Sequence, residues 1–262
     1  MKIKLLMLLS LFFVPVASAE GIPVTVYFDQ NFPPYSYQSG GSLIGIYPKL
    51  VRSVVGEMHD FDVTLESIPW NRGLMLTEHG KGFALAPIYY LPKERPYIAP
   101  YSEPLLKETV SVYCHRSVAS KLNQPIVWPN SFFGLSVGVN SGFNLGSPDF
   151  WKAVKDGNIK VQTAKSPEAN IMMLYKKRND CYLHVALSVE WTANEMLKLG
   201  SLDGVDWLVL TKNVDEQFGY IGYTVSNDNF PFKAKFVETF NKEFLKQKES
   251  GLLDSIVESY FD

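Results

Sequence analysis

VTVYF at residues 24–28, IYPKLVRSVVGEM at 46–58, FDVTLESI at 61–68, NRGLMLTEH at 71–79 and FALAPI at 83–88 decide the fold. The first, third and fifth stretches are rich in β-branched and aromatic residues and read as strands. In the second, Leu50, Val51, Val54, Val55 and Met58 recur at helical spacing, and Pro48 falls in the first turn, where proline is tolerated. The fourth predicts a short helix stopped at Gly80. Strand, helix, strand, helix, strand predicts an α/β fold with a parallel sheet covered on its faces. Asp29 to Gly41, rich in Pro, Gly and Ser, reads as a loop.

Further along, the pattern repeats. Thr109–Tyr113, Leu135–Val139, Ile159–Val161, Tyr182–Leu187 and Phe218–Val225 read as strands. Helices are expected through Phe150, Trp151 and Val154, over Pro167–Lys177, and along the apolar face of Phe232, Phe236, Val237, Phe240 and Phe244. A last short helix follows Gly251. Two α/β lobes result, one from residues 20–108 plus 215–262, the other from 109–214, with a ligand expected in the crevice beyond the strand ends.

At the amino terminus, Lys2 and Lys4 precede an apolar run from Leu5 to Val16, and Ala17-Ser18-Ala19 supplies a small-x-small cleavage signal. Residues 1–19 are therefore expected to be a cleaved signal peptide, which places the chain in the periplasm. The other reading is an uncleaved anchor, although the run falls short of the roughly 20 residues that span a bilayer. With 27 acidic against 25 basic side chains and no basic tract, the sequence gives no footprint for nucleic acid. Cys114 and Cys181, the two cysteines, read as a disulfide in an oxidising compartment, the alternative being two buried thiols. His59, His79, His115 and His184 are scattered, so no metal or other cofactor is expected.

Four segments together carry a resemblance. They are Phe32-Pro33-Pro34-Tyr35-Ser36-Tyr37 with Gly45 after it, Lys93-Glu94-Arg95 followed by Pro100-Tyr101-Ser102, Val137-Gly138-Val139-Asn140-Ser141-Gly142, and the tail Ser250-Gly251-Leu252-Leu253-Asp254-Ser255-Ile256. Their order resembles the polar-amino-acid family of bacterial periplasmic solute-binding proteins across nearly the whole chain after the leader. The resemblance implies a two-lobed type II periplasmic binding protein fold, with a hinge of two crossover segments and lobes that close on a small molecule. It implies that Arg95 pairs with a ligand carboxylate and that Trp70 is the platform on which the ligand packs. Phe32 and Asp29 match the first loop, and Asn140, Ser141, Gly142 and Phe143 match the second-lobe turn. It implies a monomer that delivers its ligand to the membrane permease of an ABC transporter.

A carboxylate taken out of water needs a charged partner, and the guanidinium fork suits it best. A strand, a glycine turn and a helix can add free backbone N–H groups. Arg95 and the Asn140–Phe143 turn would then hold one carboxylate only when the lobes close. Tyr89 and Tyr90 are candidates for the cleft wall, with register favouring Tyr90. The family's second-lobe carboxylate, which receives a ligand ammonium, falls on Val185 beside His184, with Glu190 further on. The carboxylate half of the site is thus present, while the amine half stays open, since a shifted register could bring in Glu190. Three functions follow: a binding component for an importer, a binding module that signals to a membrane sensor, or an enzyme similar to the periplasmic cyclohexadienyl dehydratases. Binding without catalysis is the expectation, since only Asp29, Glu190 and His184 offer a general acid.

Overall fold

The computed structural model describes residues 21–260; the expected signal peptide at 1–19 lies outside them. Strands of both lobes join in one nine-stranded sheet. In the first lobe Ile22–Asp29 pairs in parallel with Phe61–Ile68 on one side and Ala84–Tyr89 on the other. In the second, Ser136–Asn140 lies parallel to Lys160–Ala164 and Cys181–Val185. The parallel strands require the helical crossovers that the opening periodicity announced: Ile46–Val55 buries Ile46, Leu50, Val51 and Val54.

Two long strands, Leu106–His115 and Leu208–Thr224, run antiparallel to each other and carry the chain from lobe to lobe. They are the hinge segments. The second is much longer than the sequence pattern indicated. Its first eleven residues are exposed or partly exposed, so no apolar alternation marks them, and only Gly219–Thr224 is consistently buried on one face. The strand expected over Tyr182–Leu187 instead ends at Val185, where the helix Ala186–Lys198 begins. Part of the expected 29–41 loop folds as a small antiparallel sheet of Asn31–Phe32, Ser36–Ser39 and Ser42–Ile44.

The first lobe's core gathers Val26, Phe28 and Tyr47 with Phe236, Phe240 and Phe244 of the helix Lys233–Glu249, so the carboxyl-terminal segment completes the lobe begun at the amino end. Second-lobe side chains form two further clusters, on either side of its strands. Cys114 and Cys181 are cross-strand partners and are disulfide-bonded. Among the described residues no helix is long and apolar enough to cross a membrane.

Candidate functional site

Arg95 follows the strand Ala84–Tyr89 in a turn closed by its N–H to the Leu91 carbonyl, 2.8 Å. It is only 6% exposed. Its Nη2 crosses to the other lobe and donates to the Gly142 carbonyl at 3.1 Å. Its guanidinium also lies over the Trp70 ring, 5.5 Å from the centroid, a cation–π distance. Among the described residues, no carboxylate comes within ion-pair distance of it. Burial pulls the Arg95 pKa below its ordinary value, but a guanidinium remains charged in any such setting. A buried cation with five donors and one carbonyl acceptor is short of hydrogen-bond partners.

Trp70 opens the helix Trp70–Glu78 and donates from Nε1 to the same Gly142 carbonyl, 3.0 Å. Next to it, Asn71 donates to the Ser141 hydroxyl, 3.0 Å. Phe143 projects between the lobes. Its ring meets Phe32 at 5.5 Å and Trp70 at 5.5 Å, both edge to face, and His184 at 5.4 Å. Phe32, Trp70, Pro87, Tyr89, Arg95 and Phe143 are among the residues around a residual void of about 20 Å³, room for one water. Behind Trp70, Asp29 and Asn71 face Ser141, Phe143 and Lys165 across a second cavity of about 400 Å³.

Arg95, Trp70, Phe32, Gly142, Phe143 and His184 are therefore brought together, and Asp29 and Ser141 line the adjoining cavity. Tyr90 is not in the cleft. It is 59% exposed and packs on Tyr101 and Tyr220. Strand alternation puts Pro87 and Tyr89 on the cleft side, so the register expected for Tyr90 is one residue out. Asn140 is also committed elsewhere: its Oδ1 accepts from Asn170 at 2.7 Å and from the Tyr182 hydroxyl at 2.9 Å. That side chain ties the strand end to the helix Pro167–Tyr175 and lines neither cleft cavity.

The backbone of the turn differs from expectation too. The next helix starts only at Pro148, capped by Ser147, so its amino end does not follow directly from the glycine turn. The Ser141 N–H is taken by the Ala164 carbonyl and that of Phe143 by the Asn140 carbonyl. What the turn shows Arg95 is a carbonyl oxygen. Val185 is fully buried among apolar side chains, as its aliphatic character demands, and offers no charge to an ammonium. His184 is fully buried with neither ring nitrogen partnered, and burial pushes its pKa down to about 3, so it is neutral.

One buried acid behind the cleft wall has no counterpart among the expected residues. Glu108 sits in the hinge strand Leu106–His115, 1% exposed, and accepts from the hydroxyls of Tyr47 and Tyr89. Tyr89 in turn lines the void beside Arg95. The signal was in the sequence: Glu108, Val110, Val112 and Cys114 alternate on one buried face, and an acid in such a series is anomalous. Burial raises the Glu108 pKa from 4.5 to about 7, opposed by the two tyrosine hydrogen bonds. Asp29 rises from 3.8 to about 7 for the same reason, opposed by the Asn31 N–H on its Oδ1.

Both carboxyls hold their protons more tightly folded than unfolded. The stability this contributes is complete below the unfolded values and is lost as pH rises through the folded ones. For Glu108 the difference between 4.5 and about 7 corresponds to about 3 kcal/mol. His184, held neutral by burial with its pKa down at about 3, works in the opposite sense up to about pH 6.5 and offsets roughly one of the two acids. Stability by urea unfolding is therefore expected to fall by about one acid's worth between about pH 4.5 and 7. Glu108→Gln, which cannot ionise, should remove most of that fall, because Asp29 and His184 then nearly cancel. A pH slope that the substitution does not change would contradict a buried, titrating Glu108.

No protein-family model and no curated protein matches the sequence. Solved structures do. One is GshT, described with glutathione import in Gram-positive bacteria and the cystine ABC importer TcyBC of Streptococcus mutans. It is 19% identical, with 92% of this chain and 95% of that chain covered at a TM-score of 0.73. A histidine kinase sensor domain with similarity to periplasmic binding proteins is 15% identical, covering 92% and 96% at a TM-score of 0.72. The ancestral amino-acid-binding protein AncCDT-1, a precursor of cyclohexadienyl dehydratase, is 15% identical, covering 92% and 96% at 0.67. The chain thus has the two-lobed type II periplasmic binding protein fold over nearly its full length.

Proposed function

We infer that this protein is a periplasmic solute-binding protein whose lobes close on a small carboxylate-bearing ligand without transforming it. One observation carries the reading: Arg95 is a buried guanidinium at the lobe interface with a carbonyl, and no acid, as its hydrogen-bond partner among the described residues. An anion in the cleft would supply the missing charge and occupy both arms of the fork. Because Arg95 and Trp70 belong to one lobe and Ser141 and Lys165, across the adjoining cavity, to the other, a ligand held between the lobes favours the closed arrangement over the open one. Amino-acid-binding and importer-linked neighbours support this reading, and the membrane partner it implies is an ABC-transporter permease. The sensor-domain neighbour favours a second reading, in which the same closure is read by a membrane kinase. Deletion of the receiving membrane protein separates the two, by loss of uptake or by loss of a transcriptional response.

A thermal-shift screen tests the binding role. The purified protein is unfolded and refolded to strip ligand, then offered carboxylates, amino acids, short peptides and polyamines. A ligand at about 100 times its Kd adds roughly 2.7 kcal/mol, a rise in Tm of about 5–10 °C for a chain of this size. Shifts confined to carboxylates are expected. A shift with a polyamine lacking any carboxylate would overturn the reading. Prephenate belongs in the panel and is expected to be recovered unchanged. Conversion to phenylpyruvate would instead make Asp29, already half-protonated near neutral pH, the leading general acid.

A further inference from the structure

We propose that Gly142–Phe143 is a built-in stand-in for the ligand, and that the true ligand is an aromatic carboxylate that displaces it. The proposal rests on the carboxylate reading of Arg95 and narrows it. Two cleft donors, Trp70 Nε1 at 3.0 Å and Arg95 Nη2 at 3.1 Å, converge on the one Gly142 oxygen, where a carboxylate oxygen of a ligand would sit. The adjoining side chain, the Phe143 ring, lies edge to face against Phe32 and Trp70 and near His184. An oxygen on the arginine and a ring in the aromatic box, joined by a short chain, together have the layout of an aromatic carboxylate. On the Arg95 side of Phe143 the space left over is about 20 Å³. A ligand whose ring enters the aromatic box and whose acid reaches Arg95 must therefore replace Phe143 there, whatever part of it extends into the cavity of about 400 Å³ on the other side.

Local backbone suits this exchange. Gly142 at φ +79° and Gly146 at φ +90° bracket the segment, and both conformations are ones that L side chains rarely adopt. A Cβ on Gly142 would come within 2.1 Å of Asn71 Oδ1 and 2.9 Å of Trp70 Cδ1, so only glycine lets the carbonyl reach its donors. Phe143 itself is half-buried and sits ahead of the helix Pro148–Lys155, outside any regular element.

The exchange also selects the ligand. A carboxylate outcompetes a neutral carbonyl on a guanidinium, because the charge-assisted fork is the stronger bond. A ring restores the edge-to-face contacts that Phe143 gives up, whereas an aliphatic chain leaves Phe32 and Trp70 without them. Phe143 is therefore a specificity-determining residue that acts by competition. An internal competitor lowers the apparent affinity by the fraction of molecules in which it is seated.

Calorimetric titration of the wild-type protein and Phe143→Ala with 3-phenylpropionate, indole-3-acetate, butyrate and succinate tests this. The aromatic acids are expected to bind at least about tenfold tighter than the aliphatic ones, and Phe143→Ala to tighten the aromatic acids by a further tenfold or so. Phe143→Leu, a smaller change that guards against misfolding, should give a weaker gain of the same sign. Weaker binding of the aromatic acids in both variants would make Phe143 an ordinary contact and overturn the proposal. Aliphatic acids binding as tightly as aromatic ones, and losing affinity in Arg95→Ala, would overturn it while leaving the carboxylate reading intact. Binding of no carboxylate by any of the proteins would overturn both.

Discussion

Arg95→Ala is expected to lower affinity for the carboxylate ligand by roughly 10²–10⁴, the equivalent of about 3–5 kcal/mol for breaking a buried charge pair. The free protein should respond in the opposite direction. Arg95 is buried, is paired with no acid among the described residues, and is satisfied by one carbonyl and one aromatic face. Keeping such a charge out of water costs stability. Its removal should leave Tm unchanged or raise it, which is the signature of a residue retained for binding at the expense of stability. Arg95→Lys keeps the charge but loses the planar fork, so it should recover only part of the affinity. Titration and thermal melts of the same three proteins check this. A variant that loses affinity and stability together would make Arg95 a structural tie between the lobes.

The second large effect concerns the disulfide. Cys114 and Cys181 are separated by 67 residues, and a cross-link closing a loop of that length is worth about 4 kcal/mol in the unfolded-chain account. The pair joins the hinge strand Leu106–His115 to Cys181–Val185, the strand that carries His184 toward the cleft. Cys114→Ala/Cys181→Ala is expected to lower Tm by roughly 8–16 °C. Both sulfurs lie in the second lobe's core and neither borders the two cleft cavities. Ligand affinity measured well below the transition should therefore change little. A double variant that melts like the wild type would contradict a stabilising disulfide.

Much of this was legible in the sequence, and the failures have physical reasons. The helix of Leu50, Val51 and Val54 and the tail helix of Phe236, Phe240 and Phe244 each bury one stripe, so periodicity found them. The strand Leu208–Thr224 hid because its first half spans the hinge with both faces partly wet. Arg95, Trp70 and Phe32 came from the resemblance to the solute-binding family, and they lie in loops or at element ends, where sites are built. The sequence points to Tyr90 where the cleft takes Tyr89, because a one-residue phase cannot be read at the end of a short strand and that phase decides which side faces the cleft. Asn140 failed for another reason: its two hydrogen-bond partners, Asn170 and Tyr182, come from distant segments that no local pattern links to it. The inward packing of Phe143 depends on Phe32 and Trp70 of the opposite lobe and is likewise a tertiary fact.

The central claim is that Arg95 waits for an anionic oxygen in place of the Gly142 carbonyl. Calorimetric titration with the best carboxylate ligand and with its carboxamide, which keeps the shape and removes the charge, tests it most directly. The acid is expected to bind the wild-type protein at least about 100-fold more tightly than the amide, and the difference to vanish in Arg95→Ala. Equal affinity for acid and amide in the wild-type protein would contradict the account.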